Sequence, residues 1–211
     1  MFYKFMVPVV RAIVWLLNGN VHYEGLENLP KNQSYIIVAP HRTWWEPILF
    51  ALAVAPTPCA FMAKKELFKN PILRFILVHA NAFPVDRQHP GPSAIKTPVR
   101  DLNRRNLSLI MFPTGTRYST KMKGGAVLIS KLSRKPFMPV VYQGPLTFKG
   151  FMMHKRCTVK FGKELKINYR MKLTDENMEQ VGQQMQTEWD KIDYSIDPHF
   201  KYIPAKKKKQ S

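Results

Sequence analysis

Apolar positions along the chain fall into short runs separated by stretches of helical period. Aliphatic, β-branched and aromatic residues cluster at Tyr35 to Ala39, Cys59 to Ala63, Ala82 to Val85, Leu107 to Phe112, Phe137 to Tyr142 and Thr158 to Phe161. Runs of this length, punctuated by Pro, Asn and charged residues, predict buried strands. Between them, helical patterns lie at Ile48 to Val54, Asn70 to His79, Pro98 to Arg105 and Gly125 to Leu132. Strands alternating with helices predict an α/β fold in which a mixed central sheet is covered by helices.

The two ends read differently. Met1 to Leu17 is apolar apart from Lys4 and Arg11 and contains Pro8, too short a run to span a bilayer, which needs about 20 apolar residues. Arg11 also breaks the apolar core of a secretory signal, and no small-residue cleavage site follows it. Lys4 and Arg11 are seven residues apart and so share a helical face, with Phe2, Phe5, Met6, Val9, Ile13 and Leu16 over the rest. This is the pattern of an amphipathic helix lying in a membrane interface, although a helix docked on the core also fits. Near the other end, Thr174 caps a helix whose first turn holds Asp175 and Glu176, and Met178, Val181, Met185, Trp189 and Ile192 form one stripe. A docked C-terminal helix is expected, followed by a solvated basic run, Lys206 to Lys209. The expected division is an interface helix over 1–19, an α/β domain over 20–170, the docked helix over 171–200 and a basic tail over 201–211.

Charge narrows the partners. With 33 Lys and Arg against 14 Asp and Glu, the net charge is +19, a field that attracts polyanions. Nucleic acid, anionic lipid headgroups and an acidic carrier of the substrate all qualify. The aromatic residues sit in apolar runs rather than among basic surface positions, and no nucleic-acid-binding motif is present, so no nucleic-acid partner is expected. The two cysteines, Cys59 and Cys157, lie far apart without a CxxC spacing, which predicts neither a disulfide framework nor a zinc site and fits a reducing cytosol.

Chemistry concentrates just after predicted strands. Pro40-His41-Arg42-Thr43-Trp44-Trp45-Glu46-Pro47 places a carboxylate five positions after a histidine. Chance alone supplies about 0.4 such pairs in a chain with 6 His and 14 acids, so the spacing needs a structural context. Five residues of regular helix rotate by about 500°, and the two side chains meet only if the chain turns between them. Pro47 suits the first turn of a helix, which puts the pair in a strand-to-helix loop, where α/β sheets bind ligands. Glu46 can then accept the Nδ1 proton and orient the ring. A second segment, Phe112-Pro113-Thr114-Gly115-Thr116-Arg117, joins a close-approach glycine and hydroxyls to a guanidinium able to grip phosphate side-on. Arg87, beside Asp86, and Lys64, beside Lys65 and Glu66, add charge at the same predicted edge.

Taken in order, His41-x4-Glu46, Ala63-Lys64-Lys65-Glu66-Leu67-Phe68, Ala82-Phe83-Pro84-Val85-Asp86-Arg87, Phe112-Pro113-Thr114-Gly115-Thr116-Arg117 and Met138-Pro139-Val140-Val141 resemble the ordered motifs of the glycerolipid acyltransferase family over roughly residues 20 to 170. The likeness within the family is to bacterial 1-acylglycerol-3-phosphate acyltransferases. It implies transfer of an acyl chain from a thioester, on acyl carrier protein or coenzyme A, to the sn-2 hydroxyl of lysophosphatidic acid at the cytoplasmic face of the membrane, by a peripheral or monotopic enzyme. It implies no metal and no bound cofactor. His41 takes the role of general base, Glu46 that of its orienting acid and Arg117 that of acceptor-phosphate ligand, with Arg87 and Lys64 as further phosphate contacts and Thr114, Gly115 and Thr116 as the acceptor and oxyanion loop. The family usually has Asp where Glu46 stands and Glu where Thr114 stands. The chemistry suits the residues, since the attacking group is the substrate's own hydroxyl and a base of near-neutral type suffices. A basic nucleic-acid-binding protein, a hydrolase and an acyltransferase for another lysophospholipid are the alternatives.

Overall fold

A computed structural model of the chain describes residues 2–86, 89–114 and 124–202. Seven strands form one sheet in the order β1-β7-β6-β2-β5-β3-β4: β1 Val21–Glu24, β2 Ile36–Val38, β3 Cys59–Lys64, β4 Ala82–Val85, β5 Ser108–Met111, β6 Phe137–Gln143 and β7 Cys157–Phe161. Strands β6, β2, β5, β3 and β4 are mutually parallel, whereas β7 runs antiparallel to β6 and carries β1 parallel to itself. The sheet is therefore mixed, as its alternating sequence predicts.

Successive residues of a strand face opposite ways, and both faces of β2 are covered. Ile37 packs with Leu49, Phe50, Val140, Phe151 and Val159 in one core, against which Val14 and Leu17 also pack. Ile36 and Val38 join Leu109, Ile129, Val141, Met185 and Trp189 in the other. The first layer holds α1 Phe2–Leu17, α2 Glu46–Ala53 and α6 Phe148–Met152, and the second holds α4 Ser93–Arg104, α5 Gly125–Ser133 and α7 Asp175–Ile196. Burial on both faces explains why the central strands read as continuous apolar runs.

Connectivity locates the site. The chain steps from β2 across to β3 and on to β4, then reverses through β5 to β6. Right-handed crossovers then place α2 and α3 Pro71–His79 on one face and α4 and α5 on the other. The neighbouring strands β2 and β5 thus send their following loops to opposite faces, which opens a crevice outside their carboxyl ends. The loop at His41 follows β2, and Phe112 to Thr114 follow β5.

Three differences from the sequence expectation have local causes. Helix α4 begins at Ser93 rather than at Pro98, because its buried stripe Ala94, Pro98, Asp101, Leu102 starts upstream and the amides of Ala94, Ile95 and Lys96 bond to Gly91 and Pro92 carbonyls. Pro98 is tolerated there, close enough to the start that few ladder bonds are lost. Strand β1 is half-buried and mixed in polarity, so it lacks a run; it is held by Gly25, at φ 73°, where an added Cβ would lie 2.1 Å from the Phe161 carbonyl oxygen. Helix α6 is a five-residue helix capped by Thr147, too brief for a periodic signal.

Candidate active site

His41 stands in the turn between β2 and α2, and Glu46 is the first residue of α2. The turn folds the two together: His41 Nδ1 lies 3.2 Å from Glu46 Oε2. The Arg42 backbone amide donates to both carboxylate oxygens, at 3.1 Å and 3.0 Å. The side chain of Glu46 thus spans the turn to reach the imidazole. Glu46 is fully buried, and that burial pushes its carboxyl above the usual carboxylate range, opposed by the His41 hydrogen bond and by the amides of Arg42 and Thr43. On the other side the His41 ring stacks on Phe112, 4.0 Å between centroids. With Nδ1 engaged by Glu46, Nε2 is the ring nitrogen left for proton transfer.

Arg42 is buried and tied to β6 and α7. Its guanidinium Nη1 donates to the Tyr142 carbonyl at 2.7 Å and to Asp193 Oδ1 at 2.9 Å, while Nη2 bonds Asp193 Oδ2. Gln143 Nε2 donates to the same Asp193 Oδ1 at 2.7 Å. The rings of Phe200 and Tyr202 cover the guanidinium, 5.2 Å and 5.5 Å from its Cζ. Helix α7 is fixed beneath this network by Trp189, whose Nε1 donates to the Val38 carbonyl at 3.1 Å, at the end of β2.

A cavity of about 340 Å³ opens on His41, bounded by Thr114 across from it and by Gln186, Asp190 and Tyr194 of α7. Among the described residues lining this cavity none is a Ser or Cys. Cys59 and Cys157 are free and buried in the core, and burial pushes the Cys59 thiol to about 12.

His41, Glu46 and Thr114 are therefore brought together. Lys64 is not: it ends β3, two strands from β2 and about 10 Å away across the sheet, half-exposed, 3.7 Å from Glu66. Asp86 is engaged by Lys65 and by the His89 amide. Arg87, Gly115, Thr116 and Arg117 lie outside the described residues, as does the basic run Lys206 to Lys209. Sequence reasoning missed Phe112 as the stacking partner of His41, and it missed Arg42 together with the α7 wall of the cavity. Arg42 carries one local sign, its place directly after the candidate base; its partner, 151 positions away, carries none.

A histidine–carboxylate pair at a switch point, opening on a cavity that no Ser or Cys among the described residues lines, defines an α/β protein equipped to deprotonate a bound hydroxyl. The acyltransferase family model matches residues 20–143, and the chain belongs to that family. It is 44% identical over 194 residues to the 1-acyl-sn-glycerol-3-phosphate acyltransferase of Streptococcus pneumoniae, covering 92% of this chain and 74% of that protein. It is 37% identical to the protein of that name from Bacillus subtilis, over 77% of this chain and 82% of the relative. The crystal structure of the 1-acyl-sn-glycerophosphate acyltransferase of Thermotoga maritima superposes with a TM-score of 0.67, covering 94% of this chain and 83% of that one at 21% identity; this likeness concerns the fold.

Proposed function

We propose that this enzyme moves a fatty acyl chain from a thioester donor, on acyl carrier protein or coenzyme A, to the sn-2 hydroxyl of lysophosphatidic acid, giving phosphatidic acid. The observation that carries the reading is the buried His41–Glu46 pair opening on a cavity at the switch point. The names of the relatives from Streptococcus and Bacillus support the acceptor.

His41 Nε2 takes the proton of the acceptor hydroxyl as its oxygen attacks the thioester carbonyl carbon. The tetrahedral intermediate collapses with cleavage of the carbon–sulfur bond, and the imidazolium returns the proton to the departing thiolate. Glu46 holds the tautomer with Nδ1 protonated and stabilises the imidazolium. No acyl-enzyme is formed. Arg117 and Arg87 are assigned to the acceptor phosphate, with Lys64 attracting it from the rim, and Thr114, Gly115 and Thr116 to the loop that borders the reacting groups.

We place the enzyme on an anionic membrane surface at the cytoplasmic face. No helix among the described residues is long and apolar enough to cross a membrane. Helix α1 turns Tyr3, Val10, Val14 and Leu17 inward and leaves Phe5, Val9, Ile13 and Leu16 exposed, so it docks on the core and still offers an apolar face to lipid.

The test is a lipid product assay offering lysophosphatidic acid and other lysolipids with each donor. Phosphatidic acid formed from lysophosphatidic acid supports the reading. Release of free fatty acid with every acceptor means that the pair activates water, and the enzyme is a hydrolase.

A further inference from the structure

Helix α3 is inverted relative to a surface helix of a soluble protein. Asn70 caps it through its side chain, and Leu73 and Leu77 are its partly buried positions. At about 100° per residue these two mark the inward direction, and Val78, Pro71, Phe75, His79, Ile72 and Ile76 sweep about 160° of the opposite side. There Ile72 is 73% exposed, Phe75 54% and Val78 52%. A solvated face of this kind normally carries charged residues, whereas the one charged residue of α3 is Arg74, at the flank. Leu67, in the 3₁₀ turn leading into the helix, is exposed as well.

We propose that this outer face of α3 is a second membrane-docking surface, seated on anionic lipid together with the exposed face of α1. Three observations select a bilayer as the occupant. The step from β3 to β4 runs in the same direction across the sheet as the step from β2 to β3, so a right-handed crossover puts α3 on the face that α2 covers, the face on which α1 also packs. Two such faces on one layer fit an extended planar partner better than a compact one. Exposed cations, Lys69 at the end of the turn that holds Leu67 and Arg74 on α3, accompany the apolar arc as they do in helices that lie among anionic headgroups. The net charge of +19 adds long-range attraction of the same sign. Docking by both helices fixes the tilt of the enzyme against the membrane plane, whereas a single in-plane helix leaves it free to roll about the helix axis. The proposal rests on the membrane-surface part of the function proposed above, but its test does not need turnover.

The experiment compares the full chain with the variant Ile72→Ser/Phe75→Ser/Ile76→Ser for binding to phosphatidylglycerol-containing vesicles by sedimentation, with thermal unfolding to confirm the fold. Partitioning should fall at least about tenfold, as expected for loss of even part of one large apolar side chain from lipid. A second readout uses Val78→Cys carrying an environment-sensitive fluorophore, since Cys59 and Cys157 are buried; its emission should shift to the blue with these vesicles. Unchanged vesicle binding by the folded triple variant, or an emission that does not shift, overturns the proposal. Unchanged vesicle binding with selective loss of transfer from acyl carrier protein also overturns it, and assigns the face to that acidic protein. Activity on detergent-dispersed lysophosphatidic acid reports separately on the acyl-transfer reading.

Discussion

The guanidinium of Arg42 and the carboxylate of Asp193 meet end-on through Nη1 and Nη2, two parallel N–H···O bonds joining the residue after the candidate base to a helix 151 positions downstream. The backbone amide of Arg42 also donates to both oxygens of Glu46. A continuous set of bonds therefore runs from α7 through Arg42 to Glu46 and so to His41. In the mechanism proposed above, Asp193 and Arg42 act by positioning the His41–Glu46 pair.

Asp193→Asn should lower kcat by roughly tenfold or more with a smaller rise in the acceptor KM, because the shifted base misplaces the proton while Asp193 is one of many side chains lining the cavity. Asp193→Glu should recover part of the loss. Steady-state kinetics with both substrates varied makes the check; equal changes in kcat and KM would argue against a positioning role.

His41→Ala should reduce turnover by roughly 10²–10⁴-fold, the usual contribution of a general base. Its circular dichroism and cooperative unfolding should remain those of the parent. Near-parental turnover would falsify the proposed mechanism.

Glu46→Gln should cost more turnover than Glu46→Asp. A Gln amide can donate to Nδ1, leaving the proton on Nε2, where the base is needed. The stability effect runs the other way. The folded carboxyl lies above its unfolded value, so its contribution to stability is present below the unfolded pKa and lost as pH rises through the folded one. Ionising the buried carboxyl is therefore a cost to folding, and the Tm of Glu46→Gln relative to the parent should rise as pH is raised, followed by differential scanning calorimetry.

Arg117→Ala should raise the KM for lysophosphatidic acid by about tenfold or more, with a smaller change in kcat, since a bidentate phosphate contact acts mainly on binding. A neutral acceptor such as a monoacylglycerol should not discriminate between parent and variant.

Buried tyrosines set the alkaline limit. Burial pushes Tyr35 and Tyr23 up to about 12, so the stability tied to their protonated form is intact below about 10 and is lost as pH rises through 12. Tyr35→Phe should therefore move the midpoint of alkaline unfolding upward when followed by far-ultraviolet circular dichroism.

Most of the frame was legible in the chain because local physics dictates it. Strands β3, β4 and β6 match their apolar runs closely; β6, buried along its whole length, needs little beyond apolar side chains. Helix α7 announces itself through its Thr174 cap and its stripe, of which Val181, Met185, Trp189 and Ile192 are buried. The pairing of His41 with Glu46 was equally accessible, because five residues and one turn contain all its geometry. What only the tertiary structure decided involves residues distant in sequence. Strand β1 and the start of α4 depend on neighbours brought up by the fold, and Phe112 reaches His41 because β5 happens to lie beside β2. Asp193 lies on a helix whose periodicity says where it docks but not which polar residue will face Arg42. The exposed face of α3 is the inverse case: its sequence reads as an ordinary apolar helix, and only the packed fold reveals that most of the apolar surface points outward. Hydrophobic periodicity specifies that an element buries something, but which face is buried, and against what, follows from the order of the strands in the sheet.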